Sequence, residues 1–301
     1  MSWWSGFQDQ ITHDAPVGKQ TWFRLGGRAK YLFQPHSVES LAAVVTRARQ
    51  EDVPLKVLGR GANVLVSDDG FDGVVVRLDH PEFKQVQRRG EVLKVGAGVD
   101  LMPFARGCCS EGLSGLECMA GIPATIGGAV RMNAGGRFGD FADCVEGITV
   151  LRPDGEIERW SKERCGFSYR HSDIEDEVVL SATLRLTPDD PRRVLEAFDS
   201  HFVEKQRTQP IAAHSAGCIF KNPPNGAAGA LIDRAGLKGA RSGLAEVSRQ
   251  HANFIVAERG ATASDVLRLI DLVRERVERI FAIVLELEVD IWHRVREGTF
   301  A

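Results

Sequence analysis

Two stretches of the chain repeat hydrophobic residues at spacings of three and four, the period of an amphipathic helix. The first covers residues 37–48, where Ser37 can act as the N-cap and Val53-Pro54 ends the pattern. The second begins at Thr262, which is placed to form a capping box with Asp265. We also predict helices over residues 100–112 and 192–206. The apolar face of the last long helix consists of Val266, Ile270, Val273, Val277 and Ile280.

Short β-type runs separated by turn residues predict strands between these helices. They cover residues 55–58, 73–78, 83–88, 92–95 and 178–186, and residues 148–160 form a hairpin that turns at Pro153-Asp154-Gly155. Residues 285–291 alternate apolar and acidic side chains, which is typical of a half-buried strand. Helices and strands mixed in this order indicate an α+β fold. A domain boundary is expected at residues 188–191, where two prolines flank two aspartates.

Composition excludes several classes of protein. The 301 residues are enough for two or three domains. With 38 Lys and Arg against 41 Asp and Glu, the net charge of -3 argues against a general nucleic-acid binder. The six cysteines show neither a C-x-x-C pair nor zinc-ligand spacing, so we expect reduced thiols and no metal site. No secretory signal or membrane-length apolar run is present, and we expect a soluble, cytoplasmic protein.

Two glycine-bearing stretches suggest a ligand with a pyrophosphate. The first glycine stretch is residues 58–65, and the second is residues 120–136. Backbone with few side chains can bring its N–H groups close to phosphate oxygens. Neither stretch reads G-x-G-x-x-G, and neither is followed by Gly-Lys-Ser/Thr. Each alone could be no more than a tight turn. Together, with Asn63 and Asn133 beside them, they favour an enzyme that holds a long pyrophosphate-bearing ligand.

Three further positions could carry chemistry, although each has a common structural explanation. Cys218 follows a glycine and could donate a proton, but a single cysteine is more often a small buried hydrophobe. Arg170 could bind a carboxylate, but an arginine in a polar turn is usually exposed. Glu288 lies on the polar face of the last strand, where solvation is the default. His171 and His251 are expected to be structural or exposed.

These motifs, taken in order, resemble the UDP-N-acetylenolpyruvoylglucosamine reductases, also called UDP-N-acetylmuramate dehydrogenases, of bacterial peptidoglycan synthesis. The resemblance runs from residues 21–27 to residues 285–289. It implies an FAD-binding domain of the vanillyl-alcohol-oxidase (PCMH) type in two subdomains, residues 1–78 and 79–189, and a substrate-binding α+β domain, residues 190–301. The chain has only two tyrosines, Tyr31 and Tyr169, so it resembles the shorter type without an inserted tyrosine loop.

The resemblance implies bound FAD, with NADPH as co-substrate. No histidine falls between Val57 and Val66, where covalently flavinylated relatives carry one, so the FAD is expected to be non-covalent. The implied FAD contacts are Gly59, Arg60, Gly61, Ala62, Asn63 and Val64 on the pyrophosphate, and Gly121, Ile122, Thr125, Gly127, Gly128 and Asn133 on the flavin side.

The implied reaction is reduction of UDP-N-acetylglucosamine enolpyruvate, a small UDP-sugar enolpyruvyl ether, to UDP-N-acetylmuramate. Arg170 matches the arginine that, with a protonated or proton-sharing glutamate at Glu288, polarises the enolpyruvyl carboxylate. Cys218 stands at the proton-donor position, where many members have serine. Lys221 and Asn222 are the implied substrate contacts, and Glu286 is rejected in favour of Glu288.

One segment departs from the family pattern, and two other functions stay open. Residues 135–139 read Gly-Gly-Arg-Phe-Gly where the family usually has Gly-Ala-Tyr-Gly, so the contact made there, including that of Arg137, is an open question. One alternative is an FAD-dependent sugar or alcohol oxidase on the same scaffold. The other is a non-catalytic flavin or nucleotide-sugar binding protein. We expect a monomer, and the sequence does not decide between NADPH and NADH.

Overall fold

The computed structural model describes residues 2–224 and 226–294, which form helices and short strands mixed along the chain, as the α+β prediction requires. Their contacts group into two compact units. Unit 1 comprises Met1–His13, Tyr31–Arg60 and Gly73–Glu204, and unit 2 comprises Asp14–Lys30, Gly61–Asp72 and Lys205–Ala301. The division into three domains at residues 78 and 189 stays a prediction.

The elements are numbered in chain order. The helices are α1 (Val38–Gln50), α2 (Leu101–Ser110), α3 (Ile126–Arg131), α4 (Pro191–Thr208), α5 (Ala228–Arg234) and α6 (Ala263–Phe281). The strands are β1 (Ile11–Ala15), β2 (Ala29–Phe33), β3 (Leu55–Val57), β4 (Val64–Val66), β5 (Phe71–Val76), β6 (Val86–Arg89), β7 (Val92–Gly96), β8 (Leu113–Ser114), β9 (Gly135–Gly136), β10 (Gly139–Asp140), β11 (Val145–Leu151), β12 (Ile157–Ser161), β13 (Val178–Arg185), β14 (Thr187–Pro188), β15 (Arg241–Ser242), β16 (Ala245–Val247), β17 (Ile255–Ala257) and β18 (Asp290–Trp292).

An antiparallel sheet of five strands, in the order β12-β11-β13-β7-β6, forms the centre of unit 1. Its β11–β12 pair is the predicted hairpin, in which Leu151 lies opposite Ile157. The short helix α3 packs against β13 and β7, so the second glycine stretch crosses one face of this sheet. A four-stranded sheet has the order β1-β2-β5-β3, with β3 and β5 parallel.

Helix α1 begins where the sequence predicts. Ser37 Oγ accepts a hydrogen bond from the Ser40 main-chain amide at 3.2 Å, which satisfies one of the unpaired amides at the helix start. The helix buries Leu41 and Val45 on its apolar face. These side chains join Phe33, Val74 and Val76 in the core of unit 1, as is typical of an amphipathic helix beside a sheet.

Unit 2 is built around α6. The predicted capping box is present, with Thr262 Oγ1 accepting from the Asp265 amide at 3.1 Å and the Asp265 carboxylate accepting from the Thr262 amide at 3.0 Å. The helix packs on the three-stranded antiparallel sheet β15-β16-β17. Strands β4 and β18 pair in parallel, with Asp290 opposite Val64.

Three expectations need correction. Residues 81–84 form a 3-10 turn, so the strand predicted over 83–88 begins only at Val86; Pro81 favours a turn start, and Phe83 is buried beneath it. Residues 285–291 bury Leu285 and Val289 as predicted, but only residues 290–292 form a strand. Ile280 is 48% exposed because it lies in the last turn of α6, whereas Leu269 is fully buried.

In the part of the chain that the structure describes, no helix combines the length and apolar character needed to cross a bilayer.

Candidate functional site

The first glycine stretch links β3 to β4, and two of its glycines allow no side chain. A Cβ on Gly59 would lie 2.6 Å from Thr125 Oγ1, so in unit 1 the two glycine stretches meet at this point. In unit 2, Gly61 has a φ of +66°, and its Cβ would lie 2.7 Å from the Cα of Thr21. A larger residue would force either turn to move, because the space for a Cβ is occupied at both glycines and L side chains also disfavour the positive φ of Gly61.

The polar residues of the first glycine stretch contact the protein itself. The exposed Arg60 guanidinium lies 3.6 Å from the Asp100 carboxylate within unit 1. In unit 2, Asn63 Nδ2 donates to the main-chain carbonyl of Glu288 at 2.9 Å. Ala62 and Val64 are half-buried, and Val64 opens β4. The stretch is therefore fixed at both ends by strands and by its own polar contacts.

The second glycine stretch forms a tight turn before α3. Gly121 has a φ of +75°, and its amide donates to Met102 Sδ at 2.9 Å. Thr125 caps α3, with Oγ1 accepting from the Gly128 amide at 3.3 Å. A Cβ on Gly127 would lie 3.0 Å from that of Ala97, which explains a glycine at this helix–sheet contact, whereas one on Gly128 would meet Thr125 Oγ1 at an ordinary 3.5 Å. Ile122 is half-buried.

Asn133 is buried, and its side chain bonds to protein backbone at both ends. Its Nδ2 donates to the Ser168 carbonyl at 2.9 Å, and its Oδ1 accepts from the Ala142 amide at 3.0 Å. Its φ of +39° lies in the left-handed region, which asparagine tolerates better than most residues. These bonds give Asn133 a role in building the loop that follows the second glycine stretch.

Arg170 is not the exposed arginine that its polar turn suggests. Its side chain is only 11% exposed, and its backbone has a left-handed φ of +55°. The guanidinium NH2 group donates to the Gly135 carbonyl at 2.6 Å, and NH1 donates to Asp140 Oδ1 at 3.0 Å and to the Asn133 carbonyl at 3.3 Å. The departure segment 135–139 and the adjoining Asp140 therefore contact the predicted catalytic arginine.

Other residues of this region pair at the surface. The Arg137 guanidinium lies 3.9 Å from the Glu204 carboxylate, and Phe138 stacks on His201 with ring centroids 3.8 Å apart. His171 is exposed and lies 3.0 Å from Asp173. The Arg137–Glu204 and Phe138–His201 contacts were not apparent from the sequence, because each joins residues far apart in the chain.

Unit 2 brings together the tracts that contain Cys218 and Glu288. The Glu288 amide donates to the Ile219 carbonyl at 2.8 Å, and the Lys221 amide donates to the Glu286 carbonyl at 2.9 Å. Between these bonds, Phe220 and Leu287 form an antiparallel bridge. Residues far apart in the sequence thus lie side by side in a short ladder. Glu288 is half-buried, whereas the rejected Glu286 side chain is 78% exposed.

The predicted substrate residues follow directly on this ladder. Lys221 Nζ lies 3.9 Å from the Glu286 carboxylate. Asn222 Oδ1 accepts from the amide of Ala228, the first residue of α5, at 2.9 Å. Both side chains therefore stand where the Cys218 tract turns toward α5. Among residues 2–224 and 226–294, no group of three or more His, Cys, Asp or Glu side chains is arranged to hold a metal ion.

Cys218 differs from the other cysteines in its surroundings. It is half-buried and follows Gly217, whose φ is +74°, while the other five are buried. Burial raises the pKa of the Cys108 and Cys165 thiols to about 11 and that of the Cys109 and Cys144 thiols to about 12. These four thiols therefore stay protonated at neutral pH and make poor proton donors.

Comparisons with known proteins agree across the chain. The model described as FAD binding domain matches residues 29–161, and the model described as UDP-N-acetylenolpyruvoylglucosamine reductase, C-terminal domain, matches residues 209–292. The chain is 42% identical over 289 residues to the UDP-N-acetylenolpyruvoylglucosamine reductase of Moorella thermoacetica, covering 96% of this chain and 95% of the relative. It is 38% identical over 289 residues to the enzyme of that name from Bacillus subtilis, covering 94% of each.

A solved structure is similar over nearly its whole length. The crystal structure of UDP-N-acetylenolpyruvylglucosamine reductase from Thermus caldophilus superposes with a TM-score of 0.81 at 38% identity. The match covers 94% of this chain and 98% of that chain. The similarity therefore extends over most of both units.

Proposed function

The chain belongs to the UDP-N-acetylenolpyruvoylglucosamine reductase family, and we propose that Arg170, Cys218 and Glu288 carry the chemistry of its reaction. The protein is an FAD-containing oxidoreductase that reduces UDP-N-acetylglucosamine enolpyruvate to UDP-N-acetylmuramate with NADPH, in peptidoglycan precursor synthesis. The observation that carries this conclusion is the order of the two matched modules on one chain, an FAD-binding domain followed by a C-terminal domain specific to these reductases.

The glycine stretches fit the cofactor. At Gly59 and Gly61 the space for a Cβ is already occupied, and Gly121 requires a positive φ, so the turns stay free of side chains and their amides can approach phosphate oxygens. We propose that residues 59–64, with Gly121, Ile122, Thr125, Gly127, Gly128 and Asn133, hold FAD without a covalent link. When bound, FAD supplies hydride transfer from NADPH to the enolpyruvyl double bond.

Arg170 is proposed to bind the substrate carboxylate. A guanidinium presents paired N–H donors that match a carboxylate. Because the Arg170 side chain is already largely buried and hydrogen-bonded, it loses less conformational entropy when the substrate binds. Negative charge that develops on the enolpyruvyl group during hydride addition is then stabilised by a cation already in place. Glu288, half-buried in unit 2, is proposed to share a proton with the same carboxylate group and so to support the enol-like state.

Cys218 is proposed to donate the proton that completes the lactyl group. A thiol with an ordinary pKa of about 8.5 is protonated at neutral pH and can release its proton to a carbanion-like carbon. Its half-buried position, beside a glycine with positive φ, leaves it better placed for this than the five buried cysteines. Lys221 and Asn222 follow it and are proposed to contact the nucleotide-sugar.

An anaerobic half-reaction experiment tests this function. NADPH is added to the purified protein until the flavin absorbance is bleached, and UDP-N-acetylglucosamine enolpyruvate is then added. We expect the absorbance to recover as UDP-N-acetylmuramate forms; absence of recovery would contradict the proposal. An oxidase would instead be reoxidised rapidly by oxygen, and a non-catalytic binding protein would not consume NADPH.

We also propose that the protein is a monomer and acts in the cytoplasm. None of the six cysteines, all of which the structure describes, forms a disulfide, and this suits a reducing compartment. Light scattering on the FAD-loaded protein tests the first statement, and fractionation of cells that produce it tests the second.

A further inference from the structure

The guanidinium of Arg170 is bound by three acceptors from one short loop of unit 1. Two are main-chain carbonyls, of Gly135 at 2.6 Å and Asn133 at 3.3 Å, and the third is the Asp140 carboxylate at 3.0 Å. The Asp140 carboxylate carries the charge opposite to that of the guanidinium, and the two carbonyls fix the plane of the guanidinium group. An arginine with a positive φ needs such surroundings to persist, since the backbone conformation itself is disfavoured.

The loop is a small hairpin that depends on glycine. Strands β9 and β10 pair antiparallel, with Gly135 opposite Asp140 and Gly136 opposite Gly139. A Cβ on Gly135 would overlap Asp140 Oδ1 and lie 2.5 Å from the Gly139 carbonyl. A side chain at residue 135 would therefore displace the Asp140 carboxylate from its position beside Arg170. Asp143 Oδ2 accepts from the Asp140 amide at 3.0 Å and holds the other end of the hairpin.

We infer that Asp140 and Gly135 are positioning residues, which set the guanidinium of Arg170 in the orientation that the substrate carboxylate requires. This inference rests on the proposed role of Arg170. It also gives the departure segment a function: Gly135 offers its carbonyl and yields space for the Asp140 carboxylate. Displacement of a catalytic group by about 1 Å can slow a reaction on the order of 100-fold, so loss of either contact should be visible in the rate.

The experiment compares the two half-reactions in Asp140→Asn and Gly135→Ala, each prepared with bound FAD. Both variants should reduce flavin with NADPH at the rate of the unaltered protein. Reoxidation by UDP-N-acetylglucosamine enolpyruvate should be about 10- to 100-fold slower, with a raised KM for that substrate alone. Asp140→Glu keeps the charge and should recover part of the rate.

Matched controls make the same kinds of substitution at positions outside the Arg170 contacts. Asp154→Asn breaks an exposed ion pair with Arg152, 2.9 Å away in the β11–β12 turn. Gly136→Ala adds a methyl group next to Gly135, where nothing lies within 4 Å. Both should leave the reoxidation rate within about twofold, since exposed pairs contribute little.

The outcomes distinguish a failure of this inference from a failure of the proposed role of Arg170. If Asp140→Asn and Gly135→Ala slow both half-reactions equally, or neither, the positioning role is wrong and the loop is only structural. Arg170→Lys is measured alongside them. Unchanged reoxidation in Arg170→Lys would overturn the proposed role of Arg170 itself, whereas slow reoxidation there with normal Asp140→Asn would overturn only the inference about Asp140.

Discussion

The side-chain amide of Asn63 donates a hydrogen bond to the main-chain carbonyl of Glu288, with the nitrogen and oxygen 2.9 Å apart. The Asp290 amide donates in turn to the Asn63 carbonyl at 2.9 Å, and β4 and β18 continue the pairing. Within unit 2, the first glycine stretch is thus joined directly to the segment that carries the proposed catalytic glutamate. A substitution in the first glycine stretch should therefore also affect the segment that carries Glu288.

Replacing Asn63 with alanine tests this connection. The variant removes the donor to the Glu288 carbonyl, so the free energy of unfolding should fall by about 1–3 kcal/mol. Reoxidation of the reduced flavin by the enolpyruvyl substrate should also slow, because the Glu288 segment loses a support. Urea unfolding and rapid mixing measure the two effects. Gln85→Ala is the control, since this amide makes one exposed contact, with Glu82 at 3.4 Å; equal destabilisation of the two variants would contradict the prediction.

The contact of Gly59 with Thr125 predicts a coupled pair. Gly59→Ala should destabilise the protein by about 1–3 kcal/mol and weaken FAD binding, because the new methyl group would meet Thr125 Oγ1. Thr125→Ala removes that atom but also the cap of α3, at about 0.5–2 kcal/mol. The double variant should therefore lose less unfolding free energy than the two single variants lose in total. A double-mutant cycle in urea measures this difference.

A helix glycine provides the matched control for that cycle. Gly107 lies inside α2, and a Cβ there would meet nothing within 4 Å. Gly107→Ala should stabilise the protein by about 0.5–1 kcal/mol, since alanine loses less conformational entropy in a helix than glycine. If the changes in unfolding free energy for Gly59→Ala and Thr125→Ala are additive, the two residues do not interact.

Local patterns predicted the elements well, because capping and periodicity depend on neighbours in the sequence. Ser37 caps α1, Thr262 caps α6, and the turn at residues 153–155 closes the β11–β12 hairpin, all as predicted. The alternation in residues 285–291 correctly identifies Leu285 and Val289 as buried. It does not show where a strand pairs, because pairing depends on the partner, and here β4 offers only three residues.

The surroundings of Arg170 could not be predicted in the same way. Two of its partners are main-chain carbonyls, which every residue possesses and no sequence pattern marks. Nothing in the sequence distinguishes the third, Asp140, from the other acidic residues. The pairing of β9 with β10 places it opposite Gly135 and within reach of Arg170. The roles of Arg170, Cys218 and Glu288 came from the resemblance to a family, and they stay predictions until variants are measured.

Cys218 should matter to one half-reaction only. Cys218→Ala should leave flavin reduction by NADPH unchanged and slow reoxidation by the enolpyruvyl substrate at least about 100-fold, the usual contribution of a general acid. Cys218→Ser should retain much of the activity, since a hydroxyl can fill the same position. Cys108→Ala is the control, because that thiol is buried in α2, outside the segments that carry Arg170, Cys218 and Glu288. Equal damage to both half-reactions would exclude Cys218 as the proton donor.

The buried thiols predict how stability depends on pH. Burial raises the pKa of Cys144 to about 12, whereas a thiol in the unfolded chain ionises near pH 8.5. Between these values the folded state holds a proton that the unfolded state has lost, so raising the pH favours unfolding. The contribution is complete below about pH 8.5 and is lost as the pH rises toward 12. Urea unfolding from pH 7.5 to 10.5 should show falling stability, and Cys144→Ala should show a shallower fall. Identical slopes in the unaltered protein and in Cys144→Ala would show that Cys144 ionises freely in the fold.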